Sequence, residues 1–322
     1  MKKLKIKKSI KRKIFLSFII ALFLSIAVFS TIKIYKQKQY EKTYEYKLLE
    51  IGYKLDETKT IIKNYKDKEI DYILTTEKDY NYLDLLNVQY FIYDNLYSYL
   101  DYVKQNTGIS LRDAVKIINT NRDKEYYTDT IKTDTTKNEL MLVNKYYYLD
   151  NEYTPNNLVT VSQKYSWGKA GTHRITKDTY DAFIKMWNAA NEDGLYLMIN
   201  SSYRTHQKQE SVYKEYEEKY DKEYADQYAA RPGHSEHQTG YALDIFEKNN
   251  ANIKTFHESN AYLWLKDNAH KYGFVLRYEL ENENITGYSF ESWHYRYVGE
   301  SVATYIYNNN ITFDEYYEYY LN

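Results

Sequence analysis

The chain contains no cysteine, which excludes disulfides, thiol nucleophiles and thiolate metal ligands. Any metal must therefore be held by His, Asp or Glu. Only two prolines and ten glycines punctuate 322 residues, against 42 tyrosines. Together with abundant Lys, Asn and Ile, the tyrosines read as compositional drift, and most are expected to cover helices as half-buried amphipathic residues. The net charge is only −1. No basic stretch lies outside the N-terminal flank, so no nucleic-acid partner is expected.

That near-neutral balance conceals an asymmetry. Residues 1–13 carry Lys2, Lys3, Lys5, Lys7, Lys8, Lys11, Arg12 and Lys13 without an acid, and the run from Ile14 to Ile32 has no charge at all. At about 1.5 Å of rise per residue the run just spans a hydrocarbon core of roughly 30 Å. Residues 1–13 are expected to be a cytoplasmic tail and 14–35 a single-pass membrane anchor, with the rest of the chain outside the cell. A cleaved signal peptide is the rival reading. It needs an apolar region of about 7–15 residues ending in small residues, whereas Ser25-Ile26-Ala27 lies in the middle of the run.

Residues 36–139 are charged, Tyr-rich and helical in pattern, and are expected to form a stalk. Within them Gly52, Leu55 and Ile61-Ile62 recur as Gly108, Leu111 and Ile117-Ile118, 56 positions on. The pattern predicts a turn glycine followed by a short amphipathic helix, used twice. The match is partial, since Asp56 and Asp113 do not align. A dedicated wall- or partner-binding module is the sharper alternative.

A second regime begins near Leu140 and sets the expected domain as 140–322. Residues 140–145 and 157–161 read as short extended segments. Thr176–Asn191 reads as an amphipathic helix with Thr176 as N-cap, 195–199 as a strand, and 207–229 as one long charged helix. Further strands are expected over 241–246, 274–278 and 293–298, a helix over 256–272 closed by Gly273, a polar loop over 281–290, and one or two terminal helices. Without a βαβ rhythm this predicts an α+β fold, a small antiparallel sheet flanked by helices.

The residues that carry chemistry are Ser235-Glu236-His237-Gln238-Thr239-Gly240-Tyr241-Ala242-Leu243-Asp244 and, about fifty residues on, Glu291-Ser292-Trp293-His294. An aspartate in the middle of an apolar strand is costly unless it is paired or binds a cation. Two imidazoles and a carboxylate leave a fourth position open for water, and Glu291, expected in the turn before the last strand, supplies a nearby base.

These segments resemble the VanY-type D-alanyl-D-alanine carboxypeptidases of the LAS group of zinc peptidases. The pattern S-x-H-x-x-G-x-A-x-D falls on Ser235, His237, Gly240, Ala242 and Asp244, and E-x-W-H on Glu291, Trp293 and His294. The likeness runs through about residues 140–310. It implies the LAS fold, one zinc per catalytic domain held by His237, Asp244 and His294, and Glu291 as catalytic base. It further implies Arg204 as stabiliser of the oxyanion or holder of a substrate carboxylate, with Gln209 and Ser235 lining the pocket for the terminal residue. Ser202 departs from the family's usual glycine, which touches the loop holding Arg204. His234 and His270 are expected to be structural, and His173, His206 and His257 to be surface or local.

The resemblance implies removal of the terminal D-alanine from peptidoglycan stem peptides. An L,D-carboxypeptidase or an endopeptidase of the same family remains open. A non-catalytic wall-binding protein would show damage to the ligands or to Glu291, and the sequence shows none.

Overall fold

The computed structural model describes residues 2–169, 171–250 and 252–322, with side chains from Ser17 onward. The chain divides into two compact units between Asp94 and Asn95. The boundary expected at 139/140 thus shifts, because residues 95–139 share a unit with 140–322. Charge is the physical reason. Arg122 is buried, pairs with Asp314 at 2.7 Å, and donates through Nε to the Ile285 carbonyl.

In the first unit a continuous helix covers Lys2–Tyr40, and its Ser17–Tyr40 portion is long and apolar enough to cross a membrane. The basic side chains of the flank lie outside the described ones. Short helices follow around a core of Leu48, Tyr53, Ile61, Ile70, Ile73, Tyr82 and Leu85. Both copies of the glycine-helix pattern form. Gly52 at φ +102° precedes the helix Leu55–Asn64, and Gly108 at φ +94° precedes Leu111–Asn119, but one copy sits in each unit.

The second unit is built on an antiparallel sheet of strands β1 (Leu197–Ser201), β2 (Ala242–Glu247), β3 (Phe274–Tyr278) and β4 (Glu291–Tyr297), in the order β1-β2-β4-β3. One face, with Leu243, Ile245, Phe274 and Tyr295, packs in a single apolar cluster with Phe183, Met186 and Leu265 from the helices Lys177–Glu192 and Asn260–Asn268. Period-two alternation sends Ala242, Asp244, His294 and Arg296 to the opposite face. This is the α+β arrangement expected.

Several local expectations change. Met141, Leu142 and Val143 are buried but form no strand; Met141 and Val143 pack with Leu149 and Tyr241 instead. The long charged helix is two, His206–Lys219 and Lys222–Tyr228, because Tyr220 leaves helical geometry and the Asp221 carboxylate caps the second by accepting from the Tyr224 amide at 2.7 Å. Helix 256–272 breaks similarly at Ser259, which caps Asn260–Asn268. Thr176 occupies the N-cap position, but its hydroxyl bonds that of Thr179 and caps no amide. The 281–290 loop contains a short helical turn at Glu283–Thr286.

Two predictions follow from this packing. Gly240 sits at φ +72°, and a Cβ there would lie 3.0 Å from Leu158 and 3.2 Å from Pro155 and Thr176. Gly240→Ala is expected to lose at least about 1–2 kcal/mol for the left-handed backbone alone, measured as a drop in the urea midpoint. A chain of residues 95–322 should unfold in one cooperative transition, whereas residues 140–322 lack Arg122 and should show a lower or broadened transition by circular dichroism.

Candidate active site

Asp244 on β2 and His294 on β4 are register partners. Cross-strand partners share a face, so sheet pairing alone brings this carboxylate and imidazole together. The His294 Nδ1 lies 3.2 Å from Asp244 Oδ1. His237 comes from a helical turn, Glu236–Thr239, that reverses at Gly240 into β2. Its Nε2 lies 3.5 Å from the same carboxylate oxygen. Among the described residues these three form a group whose ligand atoms lie within 4.8 Å of one another.

Each imidazole has its other nitrogen engaged. His237 Nδ1 faces the Ser202 carbonyl at 2.8 Å, and His294 Nε2 faces Glu236 Oε2 at 3.1 Å. A carbonyl and a carboxylate both accept, which leaves His237 Nε2 and His294 Nδ1 as the free lone pairs, both turned to Asp244. Two neutral nitrogens and a carboxylate oxygen make a donor set that fits zinc.

The electrostatics ask for a cation at the same place. Burial pushes the Asp244 carboxyl up, but the two imidazoles outweigh it and hold it well below its ordinary value. Burial pulls His237 below its usual range, against the attraction of Asp244. His294 is also pulled down by burial, yet hydrogen bonds to Asp244 and Glu236 raise it to about 9. A proton there satisfies the charge that a metal ion would supply.

Glu291 opens β4; it does not lie in the turn before it, as the sequence suggested. Between Tyr278↔Glu291 and Leu276↔Tyr295 the register advances two residues on β3 and four on β4. A bulge of this kind re-aims side chains, and the Glu291 Oε2 comes to 3.7 Å from His294 Nδ1. Burial pushes its carboxyl from 4.5 up to about 7, with Asp244 adding to the rise and His294 and Arg204 opposing it. A carboxylate poised near neutrality suits proton transfer in both directions.

A second bulge, between Ile199 and Ser201 on β1, leads into the Ser202–Arg204 segment. Arg204 donates to Gln209 Oε1 at 2.7 Å and to Ser201 Oγ at 3.0 Å. The Gln209 amide nitrogen donates to the Ala230 carbonyl at 2.7 Å. Gln209 thus spends both ends of its amide holding Arg204 and the neighbouring chain. A cavity of about 190 Å³ is lined by Arg204, Gln209, Ser235, Asp244, Glu291 and His294, so all seven residues singled out from the sequence border or enclose one space, with His237 among them.

Of the other histidines, His173 is more structural than expected, while His234 and His270 make the structural contacts expected of them. His173 is buried and bonds the Ser202 hydroxyl and the Trp167 carbonyl, so the serine that replaces the family's glycine is tied into the fold. His234 bonds the Asn144 carbonyl at 2.7 Å, and His270 stacks on Tyr307.

Sequence reasoning passed over Glu236. It is fully buried, accepts from Arg277 Nε at 2.9 Å and from Arg296 at 3.0 Å, and faces His294. Burial would raise its carboxyl, but the two guanidinium groups hold it far below the usual range. The signal was present: Phe274-Val275-Leu276-Arg277-Tyr278 and Trp293-His294-Tyr295-Arg296-Tyr297 each set one arginine in an apolar strand, and a buried cation needs a buried anion.

The raised Glu291 carboxyl makes a stability prediction for chelator-treated protein. Its folded value of about 7 lies above its unfolded 4.5, so its favourable contribution is complete below about 4.5 and is lost as pH rises through 7. Glu291→Gln removes that loss. The variant should unfold at a higher temperature than wild type at pH 8, and the gap should close near pH 4.5.

Residues 172–300 match the VanY family, described as D-alanyl-D-alanine carboxypeptidase. The carboxypeptidase-like protein YodJ of Bacillus subtilis (strain 168) is 34% identical over 224 residues, which cover 67% of this chain and 82% of YodJ. A D-alanyl-D-alanine carboxypeptidase of Enterococcus faecalis (strain ATCC 700802 / V583) is 38% identical over 142 residues, 41% of this chain and 51% of that protein. Among solved structures, the LdcB LD-carboxypeptidase is similar with a TM-score of 0.56 and 35% identity, over 60% of this chain and 92% of its own. With a relative matched at this identity over four-fifths of its length, and with the family's two motifs meeting across one pair of strands, the chain belongs to the VanY family of carboxypeptidases.

Proposed function

We propose that the protein is a zinc carboxypeptidase that removes the C-terminal D-alanine from peptidoglycan stem peptides outside the cell membrane. The observation that carries the reading is the convergence of His237 Nε2, Asp244 and His294 Nδ1, with Glu291 3.7 Å from the last. Zinc held there would supply Lewis acidity, polarising the scissile carbonyl and acidifying a water. Glu291 removes the proton from the water that attacks the carbonyl carbon. The same carboxyl then returns it to the amine nitrogen as the C–N bond breaks.

Arg204 is the gripping group. Two of its donors are fixed by Gln209 and Ser201, which pre-orients the guanidinium toward the cavity. From there it holds the substrate's terminal carboxylate or the oxyanion. A small cavity bordered by both a cation and a base suits a chain terminus bearing a small side chain. Ser17–Tyr40 supports an anchored protein with the catalytic unit, residues 95–322, on the outer face, where stem peptides are exposed. A second reading, hydrolysis of an L,D bond in tetrapeptides, has its own support in the likeness to the LdcB LD-carboxypeptidase over 92% of that chain.

The test is mass spectrometry of pentapeptide and tetrapeptide precursors incubated with the zinc-loaded protein, with and without chelator. Loss of one alanine from the pentapeptide, abolished by chelator, is expected; cleavage of the tetrapeptide alone would select the second reading, and no cleavage of either would contradict both. Glu291→Gln should retain zinc while kcat falls by about 10²–10⁴, and His237→Ala should lose stoichiometric zinc.

A further inference from the structure

We propose that Glu236 is a positioning residue that dictates which nitrogen of His294 binds the metal, and that the C-terminal helix Phe313–Tyr320 is built into the metal site through it. The inference rests on the reading of His237, Asp244 and His294 as ligands. It adds a chain of charges reaching from that site to a helix remote in sequence.

The chain begins at His294 Nε2, 3.1 Å from Glu236 Oε2. Glu236 Oε1 accepts from Arg277 Nε at 2.9 Å and Arg296 Nη1 at 3.0 Å, and all three side chains are at most 1% exposed. A carboxylate clamped between two guanidinium groups stays ionised and can only accept. The proton of His294 must therefore sit on Nε2, leaving Nδ1 as the lone pair. His237 is held the opposite way, with Nδ1 donating to the Ser202 carbonyl and Nε2 free. The two imidazoles are thus fixed as opposite tautomers, one by a backbone carbonyl and one by a charged side chain.

Two arginines on one carboxylate leave excess positive charge in a dry interior, which needs a second anion. Asp314, in the first turn of the C-terminal helix, provides it. Its Oδ2 lies 2.6 Å from Arg277 Nη1, and its Oδ1 accepts from Arg122 at 2.7 Å and Asn144 at 2.7 Å. Arg296 donates through Nη2 to the Glu139 and Met141 carbonyls and through Nε to the Tyr297 carbonyl. Residues 122, 139–144 and 314, all outside the span matched to the family, thereby converge on the group that orients a ligand from within it. Asp314 touches no ligand; its effect on the metal must pass through Arg277 and Glu236.

The test uses the full chain in detergent, loaded with zinc alone and labelled with ¹⁵N at histidine. Long-range ¹H–¹⁵N spectra should show His294 bound through Nδ1 with a protonated Nε2, and His237 bound through Nε2 with a protonated Nδ1. Two ligands bound through the same type of nitrogen would overturn the proposal. Competition with a chromogenic chelator should show zinc binding about 10–100-fold weaker for Glu236→Gln, the range typical of partners that orient ligands. Asp314→Asn should weaken it too, by less, with the His237 signature intact. Folded variants that bind zinc as wild type does would also overturn it. The wild-type spectrum decides the matter if either variant fails to fold, and a wild-type chain that binds no zinc would contradict the ligand reading itself.

Discussion

One largely buried carboxylate, Asp244, sets the terms for the rest of the catalytic unit. Removing such a group from water costs several kcal/mol even after the protein relaxes, and it lies in a strand whose neighbours are Leu243 and Ile245. Two imbalances follow. The negative charge needs a cation beside it, and His237 and His294 close on it from two directions as the donors that would share that cation. Those imidazoles must in turn be held with the correct nitrogen inward, which requires the Ser202 carbonyl and the Glu236 carboxylate behind them. Each compensation calls for another further out, ending at Asp314, Arg122 and Arg296.

The sheet makes this possible because its two faces are chemically distinct. One is an ordinary apolar surface packed on helices. The other carries Asp244 and His294, the proposed ligands, at the β2–β4 pairing, with Arg296 further along β4. Bulges do the fine placement. The one on β4 brings Glu291 beside His294, and the one on β1 delivers the segment that carries both the acceptor for His237 and Arg204. The proposed base, gripping cation and ligands therefore stand on strand ends and tight turns of a rigid scaffold, the arrangement that holds a reaction geometry best.

Much of this was legible in the sequence, for identifiable reasons. Asp244 stood out because an acid in an apolar strand is expensive, and β3 was readable to the residue from its apolar run and the Gly273 stop. Glu291 was placed in a turn because a bulge leaves no periodic trace. The division at Asn95 was hidden because Arg122 looks like any surface arginine until Asp314 is found beside it, nearly two hundred residues on. Glu236 was overlooked because an acid next to a presumed ligand reads as solvated, and its partners come from strands far along the chain. Tyr220, which with Asp221 splits the long helix, follows the same helical spacing as Tyr213 and Tyr216 before it, so periodicity gave no warning.

At the centre of the proposed mechanism, two imidazoles of fixed tautomer and one carboxylate, with no fourth ligand from the protein, form one open metal site. A zinc-edge anomalous difference map of crystals of the zinc-loaded protein tests it directly. The account predicts one peak per catalytic unit, about 2.0–2.2 Å from His237 Nε2, an Asp244 oxygen and His294 Nδ1, with Glu291 near but not bound and Glu236 still on His294 Nε2. A peak elsewhere, or one closed by Glu236 or Glu291 as a fourth ligand, would contradict it.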